Sequence, residues 1–180
     1  MLHEQLVLQD MPNTELVICG GSALIAMGLV LRTTRDVDVV ALMRSGRLES
    51  SSPLPDYIIV AAQRVAEMLH LPPDWLNNGP ASQFTMGLPD GFVDRLHRVE
   101  IGELLHVYYI ARIDQIYFKT FASADRGGYH INDLKQLNPT EEELYAAAQW
   151  CMSQDVSEGF RYILKEMLTK SGWGHVSDRI

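Results

Sequence analysis

The chain has 180 residues, 47% of them apolar, 21% charged and 8% aromatic, and its 15 basic and 23 acidic side chains give a formal net charge of -8. A chain of this length makes one ordinary globular domain, or a domain with a small appendage. It buries roughly 70% of its unfolded surface, so its core needs no disulfide or structural metal. Disordered, collagen-like and coiled-coil classes are excluded by composition, and the acidic balance argues against a surface built for extended duplex binding.

Cys19 and Cys151 are far apart, with no second ligand at metal spacing, and read as buried apolar residues of a reduced protein. Met1-Leu2-His3-Glu4 is acidic where a secretion signal would be basic. The longest apolar stretch, Leu16 to Leu31, is broken by glycines and too short to span a bilayer. The expectation is a cytoplasmic protein with no membrane contact.

In chain order, residues 3–10 predict a short helix and Met11-Pro12-Asn13-Thr14 a turn. Leu16-Val17-Ile18-Cys19 is a buried-strand run that stops at Gly20-Gly21. Ser22 precedes a helix-forming run from Ala23 to Met27, with Gly28 at its end. Asp36-Val37-Asp38-Val39-Val40 alternates polar and apolar and predicts a strand with both aspartates on one face. Arg44 to Pro55, rich in Ser, Gly and Pro, reads as a loop. Tyr57 to Leu71 is helical and closed by Pro72-Pro73, and Asp74 to Gly91 is irregular. Phe92–Ile101 and Leu104–Ile110 lean toward strands that Gly102-Glu103 joins as a hairpin. Helices follow at Ile113–Ala124, Ile131–Leu137, from Thr140 with Glu143 at capping-box spacing, and at about Val156–Lys170, ending at Ser171-Gly172. Strands come first and helices last, so the fold class is α+β, with a helical C-terminal half. The division falls between residues 1–112, an α/β core, and residues 113–180, a helical region packed on it.

One constellation carries chemistry. Gly20 and Gly21 at a strand end let backbone amides approach an anion, and Ser22 adds a hydroxyl at a helix start. Asp36 and Asp38, at i and i+2 on a strand, are oxygen ligands that a divalent cation can share with a phosphate. Taken singly, the glycines fit any strand-to-helix turn and the aspartates any solvated strand. In this order, separated by one helix, they point to phosphoryl chemistry. No Gly-Lys-Ser/Thr follows the glycines as a P-loop requires. Gly20, Gly21 and Gly28 do not match a dinucleotide fingerprint, and Ser22 lacks the Gly-x-Ser-x-Gly setting of a hydrolytic nucleophile.

Gly-Ser, a helix, then Asp-x-Asp resembles the nucleotidyltransferase superfamily that includes DNA polymerase β, in particular its minimal members. Gly20-Gly21-Ser22-Ala23-Leu24 with Arg32-Thr33-Thr34-Arg35-Asp36-Val37-Asp38 is similar to AbiEii-type abortive-infection toxins. A later block, Ile113-Asp114-Gln115-Ile116-Tyr117-Phe118-Lys119 followed by Arg126 and Asp133, resembles the same group, with His130 standing where the family has the first aspartate of a pair. The resemblance covers about residues 14–150. It implies a mixed sheet flanked by helices. It also implies Mg²⁺ (with Mn²⁺ as the alternative) on Asp36 and Asp38, nucleotide binding by Gly20, Gly21 and Ser22, and catalysis by Asp36, Asp38 and Ser22. Lys119 and Arg126 would contact nucleotide, with Arg35 and Asp133 in support. Many members add a third carboxylate, for which Glu100 is the first candidate, ahead of Asp94 and Glu103. Lys119 read without the family is as easily a surface lysine beside Asp114. Expected partners are an NTP, an RNA or protein acceptor and an antitoxin protein. The rival expectation is a catalytically inactive nucleotidyltransferase fold that binds or regulates a partner.

Overall fold

A computed structural model describes residues 1–180. Its first unit, Met1–Ala111, is organised around β1 (Thr14–Cys19), whose Leu16, Val17, Ile18 and Cys19 are all buried. A strand apolar on both faces belongs in the interior of a sheet. Accordingly β1 pairs with β2 (Val37–Arg44), antiparallel, on one side and with β6 (Leu105–Tyr109), parallel, on the other. Ser45 and Gly46, at φ 49° and 75°, make the two-residue positive-φ turn that carries β2 into β3 (Arg47–Ser50). The Ser/Gly composition read as a loop from Arg44 to Pro55 is therefore partly the turn and second strand of a hairpin. Residues 74–91 likewise contain β4 (Leu76–Asn77), parallel to β2, and α4 (Ala81–Met86), short elements that depend on pairing partners rather than on local periodicity. β5 (His97–Gly102) closes the expected hairpin with β6. The strand order is β3-β2-β1-β6-β5, with β4 alongside β2.

One face of this sheet packs Leu16, Ile18, Val39, Leu42, Leu105 and Val107 into the apolar core. α1 (Leu2–Leu8) adds Leu6 to that core, and α3 (Asp56–Leu69) adds Ile58, Ala61 and Ala62, which the helical repeat places on one side. Trp75 Nε1 donates to Ala62 O at 2.9 Å, fixing the chain that leads into β4. A bulge at Val17/Ile18 shifts the β1–β2 register, so that Asp38 lies opposite Cys19, at the end of β1 where the Gly20-Gly21 turn begins.

The second unit, Arg112–Ile180, is entirely helical: α5 (Arg112–Asp125), α6 (Tyr129–Gln136), α7 (Glu141–Gln154), α8 (Glu158–Lys170) and the short α9 (Gly174–Ser177). The Thr140/Glu143 capping box forms as its spacing predicts, with Glu143 N donating to Thr140 Oγ1 at 3.2 Å and Thr140 N to Glu143 Oε2 at 2.8 Å. Trp150 of α7 packs among Tyr117, Phe118 and Phe121 of α5, with ring centroids 5.6, 5.8 and 6.4 Å away. α9 lies beyond the point where the sequence pattern ends. The fold class is α+β, a mixed open sheet of six strands with nine helices.

Candidate functional site

Gly20 ends β1 and opens α2 (Gly20–Ala26) at φ 70°, a conformation that only glycine adopts without cost. A Cβ there would overlap Oδ2 of Asp38, so the Asp38 carboxylate rests directly on the turn. Gly21 is required for a different reason: a Cβ on it would stand 2.7 Å from Arg32 Nη2 and 2.8 Å from Thr34 Oγ1. Each glycine thus makes room for a different part of the same polar cluster. Next along the helix, Ser22 Oγ is shielded from solvent and has no hydrogen-bond partner. Such a hydroxyl costs about 1–3 kcal/mol, which a ligand oxygen would offset.

Asp36 lies immediately before β2 and Asp38 within it, both partly buried. Thr34 Oγ1 donates to Asp36 Oδ1 at 2.6 Å, a charge-assisted bond that locks this carboxylate. Asp38 is flanked in register by Cys19 of β1 and Asn77 of β4. No three or more His, Cys, Asp and Glu side chains are grouped to hold a metal. Asp36, Asp38 and the Ser22 hydroxyl are hard oxygen donors. This set fits Mg²⁺ in the manner of an ion bound by one or two carboxylates and completed by substrate phosphate, not of a closed protein cage.

The third carboxylate expected at Glu100 is not brought to this cluster. Glu100 is paired with His106, and His106 with Glu15 near the start of β1, whereas Asp38 faces the other end of β1 from β2. The hairpin register, which residues 92–101 alone do not specify, separates them. Glu103 sits in that hairpin's turn, and Asp94 in a single 3-10 turn (Val93–Arg95) ahead of β5. Arg35 is exposed. Arg32 and Thr34, within the same quoted stretch, are the residues that lie against Gly21. The motif gave no reason to prefer them, although a hydroxyl two residues ahead of an aspartate is a recurrent local hydrogen-bonding arrangement.

In the helical unit Lys119 is buried, with Nζ 2.8 Å from Asp133 Oδ2 and 5.6 Å from the centroid of the Tyr129 ring. The surface-lysine reading is thereby corrected, since the lysine's carboxylate partner comes from α6. His130 lies beside Tyr129, ring centroids 4.1 Å apart. Arg126 is exposed and pairs with Asp125 at 3.2 Å. Gln115, one turn before Lys119, is fully buried with neither amide atom hydrogen-bonded, and sequence reasoning passed over it.

A family model described as a nucleotidyltransferase of unknown function (DUF6036) matches residues 2–141. No curated protein and no solved structure matches the chain significantly.

Proposed function

Starting from a chain that belongs to this nucleotidyltransferase family, we propose that it moves a nucleoside monophosphate from an NTP to a hydroxyl acceptor, an RNA 3′ end or a protein side chain, with Mg²⁺ or Mn²⁺ as cofactor. One juxtaposition carries the proposal: the unpaired Ser22 hydroxyl is on the turn that leaves β1, the Asp38 carboxylate of β2 rests on Gly20 of that turn, and the Thr34-bonded Asp36 immediately precedes β2.

In this reading Asp36 and Asp38 hold the divalent ion. When bound, that ion neutralises phosphate charge and favours the ionised acceptor oxygen. Ser22 donates a hydrogen bond to a phosphate oxygen, and the two glycines let the Asp38, Arg32 and Thr34 side chains close onto the turn beside it. The acceptor oxygen bonds to the α-phosphorus, the bond from that phosphorus to the bridging oxygen breaks, pyrophosphate leaves with the bonding pair, and the acceptor proton passes to solvent. The chain's contribution is positioning and charge placement. The family resemblance extends the proposal to Lys119, held by Asp133, and Arg126 as phosphate-contacting cations. It also extends to an AbiEii-like toxin role opposed by an antitoxin protein.

Thermal unfolding with ATP, CTP, GTP or UTP, with and without Mg²⁺, tests the reading. A ligand at a hundred times its dissociation constant adds about 2.7 kcal/mol, a rise of roughly 5–10 °C for a chain of this size. The expected result is stabilisation by at least one NTP that needs Mg²⁺ and disappears in Asp38→Asn. Stabilisation by a co-purifying protein alone would favour the inactive, partner-binding fold.

A further inference from the structure

The strand order ends at β3 on one side and β5 on the other. β3 is four residues long and exposes no large apolar side chain, whereas β5 exposes Val99 and Ile101, at 40% and 50%. Every residue from His97 to Ile101 is exposed. Such an edge is a template for another strand unless something blunts it. Which of its backbone groups are open follows from β6. Thr14 N donates to Leu104 O at 2.9 Å and Ile110 N to Ile18 O at 3.2 Å, so the even-numbered residues of β6 turn their N–H and C=O groups toward β1. Leu105, Val107 and Tyr109 therefore turn theirs toward β5, where they meet Gly102, Val99 and His97. Arg98 and Glu100, on either side of Val99, direct N–H and C=O away from the sheet.

We propose that β5 pairs antiparallel with β5 of a second copy of this chain about a dyad at Val99, joining the two sheets edge to edge. In that register Arg98 lies opposite Glu100 of the second copy, and Glu100 opposite its Arg98. The outward groups of each pair exchange N–H···O=C bonds, and at both symmetric positions a guanidinium faces a carboxylate. The neighbouring registers that also bring outward groups together set Arg98 against Arg98 or Glu100 against Glu100, and like charges directly opposite oppose pairing. Charge therefore selects one register, and that register is self-complementary, as a two-fold interface requires. Val99 is the outer end of a cross-strand row whose other members, Leu42, Leu16 and Val107, are buried, and the dyad sets it against Val99 of the second copy. The ribbon is short. A bulge between Glu100 and Gly102 ends its regular stretch, and His3 covers Gly102 closely enough that a Cβ there would stand 2.5 Å from its Nε2. Pairing of like edges uses up β5 in both copies, so the assembly closes as a dimer and does not grow into a filament.

The test is sedimentation velocity of the full chain over a dilution series, with circular dichroism to confirm that each variant is folded. Wild type should dimerise reversibly. Arg98→Glu and Glu100→Arg should each raise the dimer dissociation constant by about 10-fold or more, because each sets like charges opposite one another twice across the dyad. The double exchange Arg98→Glu/Glu100→Arg should restore the dimer. An equimolar mixture of the two single variants should form a heterodimer, since one then supplies only carboxylates to the contact and the other only guanidinium groups, a pattern that no folding defect produces. A wild type that stays monomeric would overturn the proposal in favour of a strand from another protein. A dimer indifferent to both single reversals, or single variants that recover neither by exchange nor by mixing, would overturn it as well.

Discussion

Breaking the buried pair Lys119–Asp133 is the perturbation whose size the structure defines best. The two side chains are 5% and 1% exposed and Nζ–Oδ2 is 2.8 Å. At that distance, with an effective dielectric constant of about 20, their attraction is about 6 kcal/mol. The cost of removing both charges from water offsets much of it, so the pair adds little net stability. Deleting one partner is another matter, because the survivor stays buried without its counter-charge. Asp133→Ala and Lys119→Met should each cost about 3–5 kcal/mol, a large share of the 5–15 kcal/mol of a typical domain. The double variant Lys119→Met/Asp133→Leu should lose far less than the sum, since no charge is left stranded. Urea unfolding followed by circular dichroism at neutral pH measures all three. Single variants costing under about 1 kcal/mol, the range of exposed ion pairs, would refute the reasoning.

Two further outcomes follow from the site and the helical unit. Gly20→Ala should cost more than Gly28→Ala. Both residues have positive φ, 70° and 68°, and share a backbone penalty of about 1–2 kcal/mol, but only at Gly20 does the new methyl group meet Asp38, while Gly28 faces open space. Thermal melts give the difference, and loss of Mg²⁺-dependent NTP stabilisation in Gly20→Ala alone would tie it to the site. The Arg112 guanidinium, 2.7 and 3.1 Å from the Glu143 carboxylate, holds that carboxyl below its ordinary value against the opposing effect of burial, and the Thr140 N–H adds to the lowering. A depressed carboxylate contributes stability above the ordinary glutamate range and loses it as pH falls through and below that range. Glu143→Gln should therefore cost about 1–2 kcal/mol at pH 7, with the gap in urea midpoint from wild type narrowing as the pH falls below the ordinary glutamate range. A difference of constant size as the pH is lowered through and below that range would contradict the assignment.

Much of the site was legible because its chemistry is local in sequence. Gly20, Gly21 and Ser22 open one short helix and Asp36 and Asp38 follow it in sequence, and strand alternation needs nothing beyond neighbouring residues. The capping box at Thr140 was readable for the same reason, since three residues suffice. What escaped depended on pairing across the chain. The β5–β6 register, which takes Glu100 away from Asp38, follows from how β6 docks on β1, and no pattern within residues 92–101 encodes it. β4 is two residues long and exists because β2 is there to receive it. Lys119 could be a surface residue until α6 brings Asp133 to it from 14 residues on. That Arg32 and Thr34 lie against Gly21 is seen only once the chain is folded.

The central claim, phosphoryl transfer at Asp36 and Asp38, is met most directly by incubating wild-type and Asp36→Ala/Asp38→Ala protein with α-labelled NTPs and Mg²⁺, together with total RNA or cell lysate. The account predicts that wild type labels an RNA or protein band and that the double variant, folded by circular dichroism, leaves only background. Equal labelling by the two proteins would contradict it.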